Sequence, residues 1–168
     1  MSNFINKIIS SLLLLLVGTY SSQSQVVESI EEMLAQKEYA KTIKYCDSLV
    51  TIDDFKPLYF NIYKLQADAY YEINDIEKTL QSYLFALKTP EIDLPKNITL
   101  LQEILSYVGY CYNALGLDEE PIAYYNKSLA IAINLSDSVE IAIGHYNISN
   151  SQLKLGQLEN AMQNLSVA

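Results

Sequence analysis

The side chains able to do covalent or acid–base chemistry are few, and their spacing does not bring them together. His145 is the only histidine, so no site with two imidazoles can be assembled. No zinc-binding, Ser-His-Asp or Cys-His arrangement gathers around it. It falls at a packing position of a helix, which makes it a structural residue rather than a base or ligand. Acidic pairs occur at Glu31/Glu32, Asp53/Asp54 and Glu119/Glu120. Neighbours on a helix point about 100° apart and do not converge on one substrate, whereas acids near helix starts are favoured by the helix dipole. The five glycines form no phosphate-cradling loop: Gly116 and Gly156 read as turns between helices and Gly109 as a close helix contact. Cys46 and Cys111 fall two repeats apart in the register below, beyond the ~6 Å between α-carbons that a disulfide spans. Two buried thiols are the expectation, with a disulfide as the minor alternative. No catalytic residue, metal site or cofactor is expected, and no small-molecule substrate.

Charge narrows the partners. Twenty Asp and Glu against 11 Lys give a net charge of −9, and the chain has no Arg. Without a positive field or guanidinium forks, nucleic acid is a poor partner for this segment. At the N-terminus, Lys7 precedes an apolar run from Ile8 to Val17 centred on five consecutive leucines, Leu12 to Leu16. The run is about half of the ~20 residues a membrane span needs. Gly18 and Thr19 break it and small residues follow, the pattern of a secretory signal peptide over residues 1–24. Cleavage is expected after Ser24, with a cut after Ser21 as its rival, and the mature chain is expected to be periplasmic or secreted. With no Cys near the cut, a lipid anchor is disfavoured.

The elements that remain repeat. The tract Asn74 to Leu80 aligns with Gly116 to Ile122 and Gly156 to Met162, at offsets of 42 and 40 residues. Each follows a helical segment (Ile62 to Ile73, Ile104 to Leu115, Ala142 to Leu155) and opens another (Leu80 to Lys88, Ile122 to Leu135, Met162 onward). Small residues recur where two helices must approach: Ala67, Gly109 and Ser149. Aromatics follow one turn on at Tyr70 and Tyr112, where Gln152 stands in the third unit. The second helices carry Tyr83, Tyr125 and Leu165, then Ala86, Ser128 and Ala168 three positions later. A weaker first pair spans Val26 to Gln36 and Glu38 to Ile52. Pro57, Pro95 and the Ser136-Asp137-Ser138 tract are read as helix starts.

These slots, and the strings Tyr124-Tyr125-Asn126-Lys127-Ser128-Leu129 and Tyr146-Asn147-Ile148-Ser149-Asn150, resemble the tetratricopeptide repeat over roughly residues 25–168. The resemblance implies an all-α fold: a right-handed α-solenoid of about three and a half antiparallel hairpins, near 25–52, 57–89, 95–135 and 138–168. Units longer than the usual ~34 residues resemble extended variants in signalling members. The last helix is expected to present Ala161, Leu165 and Ala168 uncovered, which points to a truncated piece of a longer protein.

In that fold the first helices line a concave groove. The register places Asn61, Lys64, Asp68, Tyr71 and Glu72 on it, then Glu103, Ser106, Tyr110 and Asn113, then Ile143, Tyr146, Asn150 and Lys154. Tyr71, Tyr110 and Tyr146 form a candidate aromatic stripe for a peptide. The carboxylate clamp of one subfamily is not matched: Asp68 replaces its Asn, and Ile143 and Asn147 stand where cations belong. The resemblance implies a non-catalytic scaffold for a protein or peptide outside the cytoplasm, in use as the sensory part of a signal-transduction protein. An envelope assembly scaffold, or a repeat region preceding a catalytic domain, is the alternative. A membrane would be met only through an anchor beyond residue 168.

Overall fold

The computed structural model describes residues 23–89 and 94–168. The stretch read as a signal peptide lies outside them except for its last two residues. The described residues hold eight α-helices and no strand: α1 (23–35), α2 (Tyr39–Leu49), α3 (Tyr59–Glu72), α4 (Ile76–Leu87), α5 (Leu94–Ala114), α6 (Glu120–Leu135), α7 (Ser138–Lys154) and α8 (Leu158–Leu165). From α2 onward each helix packs against the next in sequence. None of the described helices is long and apolar enough to cross a membrane.

One local device turns the chain back at four places. Lys37, Asn74, Gly116 and Gly156 sit at φ of 61°, 60°, 73° and 73°. The next residue donates its amide to a carbonyl five residues back: Glu38 to Met33, Asp75 to Tyr70, Leu117 to Tyr112 and Gln157 to Gln152. This left-handed cap satisfies carbonyls that a helix end leaves open. Glycine adopts it freely and asparagine tolerates it, but Lys37 has neither advantage, which is why the first turn is the hardest to see in the sequence. Ser136 closes α6 in the same way at φ 55°, after which the Asp137 carboxylate accepts from the amides of Val139 and Glu140 and starts α7.

Because each turn is so short, the second helices begin earlier than expected, at Ile76, Glu120 and Leu158 rather than Leu80, Ile122 and Met162. The Asp75 side chain accepts from the Lys78 amide and fixes the first of these starts. Pro57 does not begin α3. It lies within a 3-10 helix, Asp53–Leu58, and α3 starts after it at Tyr59. Proline's fixed φ suits that tighter turn as well as a first helical turn.

The core is segmented. Ile30, Cys46, Leu49, Ile62 and Leu65 join α1, α2 and α3. Phe60, Ala67, Leu80, Tyr83, Ala86, Ile104, Val108 and Cys111 join α3, α4 and α5. Tyr125, Leu129 and Ile148 join α6 and α7. Burial handed from each helix to the next, with no single centre, is the pattern of a stacked array. Cys46 and Cys111 are free, buried and in different clusters.

The small slots are where the helices come closest. Ala67, Ala86 and Ser149 are fully buried. A Cβ added at Gly109 would lie 2.6 Å from Tyr125 Cε1, so the ring of α6 rests directly on the backbone of α5. Gly144 plays the same part for α7, where an added Cβ would stand 3.1 Å from Leu129 Cδ1. Tyr70 and Tyr112 are half-buried between neighbouring helices: Tyr70 lies under Lys78 of α4 and Tyr112 stacks on Tyr124 of α6 at 5.4 Å, both within a turn-linked pair. The last pair departs from the pattern of the others. Leu165 is not packed as Tyr83 and Tyr125 are, being 45% exposed, and α8 buries only Ala161. The expected uncovered face of the last helix is corrected at Ala161, which is fully buried, while Ala168 lies beyond the end of α8 and is exposed. Gln152, where an aromatic was expected, is buried and accepts from Asn164 Nδ2 at 3.0 Å. His145 Nδ1 is 2.8 Å from Asn164 Oδ1, so this histidine ties α7 to α8.

Gly109→Ala is expected to lower stability by about 1–3 kcal/mol, because the buried Tyr125 ring has no open space to move into. Urea unfolding followed by circular dichroism checks this, and a variant as stable as the parent would refute the close contact.

Candidate binding groove

α1, α3, α5 and α7 present one side chain set to a pair of adjoining cavities. The first, about 390 Å³, lies among Leu34 and Ala35 of α1, Lys64, Asp68, Tyr71 and Glu72 of α3, Tyr83 of α4, and Glu103 and Tyr107 of α5. The second, about 470 Å³, shares Glu103 and Tyr107 and continues past Gln102 and Ser106 to Leu135, Glu140 and Ile143.

At the centre is a relay of rings and charges. Tyr83 stacks on Tyr107 at 5.6 Å, Tyr107 meets Tyr71 edge-on at 5.5 Å, and Tyr71 meets Tyr110 edge-on at 5.8 Å. The Tyr83 hydroxyl donates to Asp68 Oδ1 at 2.8 Å, and Lys64 Nζ donates to Asp68 Oδ2 at 2.9 Å. Lys64 also pairs with Glu103 Oε1 at 3.2 Å, joining α3 to α5. Tyr39 donates to Glu72 Oε2 at 3.0 Å. One of these juxtapositions follows from helical spacing, Lys64 and Asp68 being one turn apart, and Tyr107 and Tyr110 are likewise one turn apart on α5.

Burial, aided by Asp68, pushes the Tyr83 phenol far above its ordinary pKa. Burial and the surrounding carboxylates of Glu103 and Asp68 raise Tyr107, while Lys64 opposes them. Burial and the neighbouring phenol of Tyr110 raise Tyr71. Burial would lower Lys64, but Asp68 and Glu103 outweigh it and its pKa rises. At neutral pH the cluster therefore holds protonated phenols and a charged ammonium. It offers aromatic surface, hydrogen-bond donors and the carboxylates of Asp68, Glu72 and Glu103.

The structure gathers Lys64, Asp68, Tyr71, Glu72, Glu103, Ser106 and Ile143 around these cavities. Asn113 and Lys154 meet farther along: Lys154 Nζ donates to Asn113 Oδ1 at 3.1 Å and lies 3.8 Å from Asp118, while Asn113 donates to Ser151. Asn61 borders a smaller space of about 130 Å³ with Glu31 and Leu100, and its buried Oδ1 has no hydrogen-bond partner. Asn150 is half-buried on α7, one turn before Lys154, and does not line the two cavities. Of the expected stripe, Tyr71 and Tyr110 meet ring to ring, while Tyr146 is 54% exposed on α7 and makes no ring contact with either. Tyr107 joins Tyr71 as well. Sequence reasoning passed over Tyr107, although its spacing of three from Tyr110 on a helix was a usable signal.

No family model and no curated protein matches the sequence. Solved structures do. One titled "Crystal structure of MamA" aligns over 86% of this chain and 75% of its own, with a TM-score of 0.67 and 12% identity. Another, "Crystal structure of MamA protein", aligns over 86% and 70%, with a TM-score of 0.66 and 12% identity. The fold resembles that of MamA. At this identity the likeness is one of architecture alone. Among the described residues no group of three or more His, Cys, Asp or Glu could hold a metal.

Several buried groups make the fold sensitive to alkali. Burial pushes both Cys46 and Cys111 from 9.0 up to about 12. The unfolded chain thus releases these protons from pH 9 upward while the folded chain keeps them, so stability present below pH 9 is lost as pH rises toward 12. Raised Lys64 acts with the same sign. The urea midpoint is expected to fall steadily between pH 9 and 11, and less steeply in a Cys46→Ala, Cys111→Ala variant. A flat midpoint over that range would contradict the burial.

Proposed function

We propose that this chain is a non-catalytic receiver for an extended protein or peptide segment, which lies along the trough formed by α1, α3, α5 and α7. The observation carrying this reading is that two cavities share Glu103 and Tyr107, so the concavity runs across successive odd-numbered helices instead of ending within one pair. Tyr110, 43% exposed and seated on Tyr71, offers a large rigid surface at little entropic cost. The helices read as four turn-linked pairs of a right-handed solenoid, and the protonated phenols supply contacts without chemistry. The MamA-like architecture is compatible with a scaffold, and the resemblance to signalling repeats favours use as the sensory portion of a longer signal-transduction protein.

Export belongs to the same proposal: the Leu12 to Leu16 run and the small residues before Gln25 carry it. Fractionation of the producing cells, with mass spectrometry of the N-terminus, is expected to find a chain beginning at Gln25 outside the cytoplasm. An intact Met1 chain confined to the cytoplasm would argue against it.

For the trough, Tyr110→Ala is expected to weaken binding of a captured partner about tenfold or more, since an aromatic anchor contributes on the order of 2 kcal/mol. Helicity should stay unchanged because the ring is only partly buried. Undiminished capture by a folded variant would remove this face from consideration.

A further inference from the structure

The trough has a charge and polarity pattern that selects among peptides. Five carboxylates (Asp68, Glu72, Glu103, Asp137 and Glu140) line the two cavities against two lysines, Lys37 and Lys64. Lys64 is already held between Asp68 and Glu103. The Tyr107 phenol feels Glu103, Asp68 and Glu72, with Lys64 alone opposing them, so the aromatic cluster sits in a negative field. A ring face in such a field attracts a cation through both the quadrupole and the carboxylates. A second observation lies on α7. Val139, Ile143 and Tyr146 are 66%, 40% and 54% exposed and stand at i, i+4 and i+7, one apolar face of the helix. Ile143 and the exposed Leu135 border the second cavity, so this apolar face continues the acidic, tyrosine-lined one.

Resting on the peptide-binding reading above, we infer that the trough takes a segment bearing a lysine or arginine beside apolar residues. Its cation seats against Tyr71, Tyr107 and Tyr110 near Glu72 and Glu103, and its apolar side chains lie on the Val139, Ile143 and Tyr146 face. Electrostatic complementarity sets selectivity and the on-rate, while the apolar contacts supply the area. An acidic segment would meet uncompensated like charge and be rejected.

The test uses the protein with three blocked peptides of one leucine- and alanine-containing sequence, whose central residue is Arg, Gln or Glu. Calorimetric titration at low salt is paired with NMR of the tyrosine rings. The Arg peptide is expected to bind about tenfold more tightly than the Gln peptide, and the Glu peptide more weakly still. Glu72→Gln, which leaves the Lys64 pairs untouched, should reduce the Arg preference several-fold without altering binding of the Gln peptide. Adding Glu103→Gln should abolish it, with thermal melts confirming that both variants fold. Equal affinity for the Arg and Gln peptides, with ring shifts at Tyr71, Tyr107 and Tyr110, would overturn the cationic preference and leave the trough reading standing. Absence of ring shifts with all three peptides would overturn both.

Discussion

Everything in this structure depends on how closely two helices can approach. An α-helix with side chains is about 10–12 Å across, and a neighbour fits closer only where a side chain is missing. Gly109 provides that place for Tyr125, and Gly144 for Leu129. Ala67 and Ala86 lie with Tyr83 in one buried cluster. An aromatic or leucine side chain from one helix thus fills the depression left by a small residue on another. Such contacts are short-range, so each fixes only two helices, and the core is built as a chain of local clusters.

Polar side chains bridge those clusters where apolar packing stops. Gln66 donates to Asp47 of α2 at 2.7 Å and accepts from Ser82 of α4 at 3.2 Å. Gln102 repeats the pattern, donating to Glu140 of α7 at 2.7 Å and accepting, through its backbone carbonyl, from Ser128 of α6 at 3.0 Å. Both glutamines are buried, so an unmet amide would be costly and each bridge fixes the rotation of three helices relative to one another. The Lys64 link between Asp68 and Glu103 acts in the same way at the trough. Residues expected to face a ligand freely are therefore also part of the framework. The surface left for a partner is mainly the tyrosine rings, Glu72 and the exposed face of α7.

Much of the fold was legible because its determinants are local. The recurring tract at Asn74, Gly116 and Gly156 marks positions that need a left-handed backbone, which few residues adopt. The small slots were visible for the same reason: size is a property of the residue itself. Helix starts were less legible, since Asp75 caps α4 before the apolar pattern becomes clear. The break at Lys37 was legible between Gln36 and Glu38, but not its left-handed backbone, because nothing in a lysine announces that conformation. Within the candidate site, register alone placed Tyr71 and Tyr110 together, but it also grouped Tyr146 with them, and the ring contacts do not.

The sequence by itself determined the helical repeat, the turn positions, the buried small residues and the poverty of catalytic groups. Each of those is written in residue type and in periodicity along the chain. Only the tertiary structure decided that Tyr107 joins Tyr71, that Asp68 accepts from both Tyr83 and Lys64, and that Glu103 closes the link to α5. Those partners are 4 to 39 residues apart in sequence. Which of many possible phenols and carboxylates meet is set by the rotation and offset between packed helices, quantities that no single helix encodes.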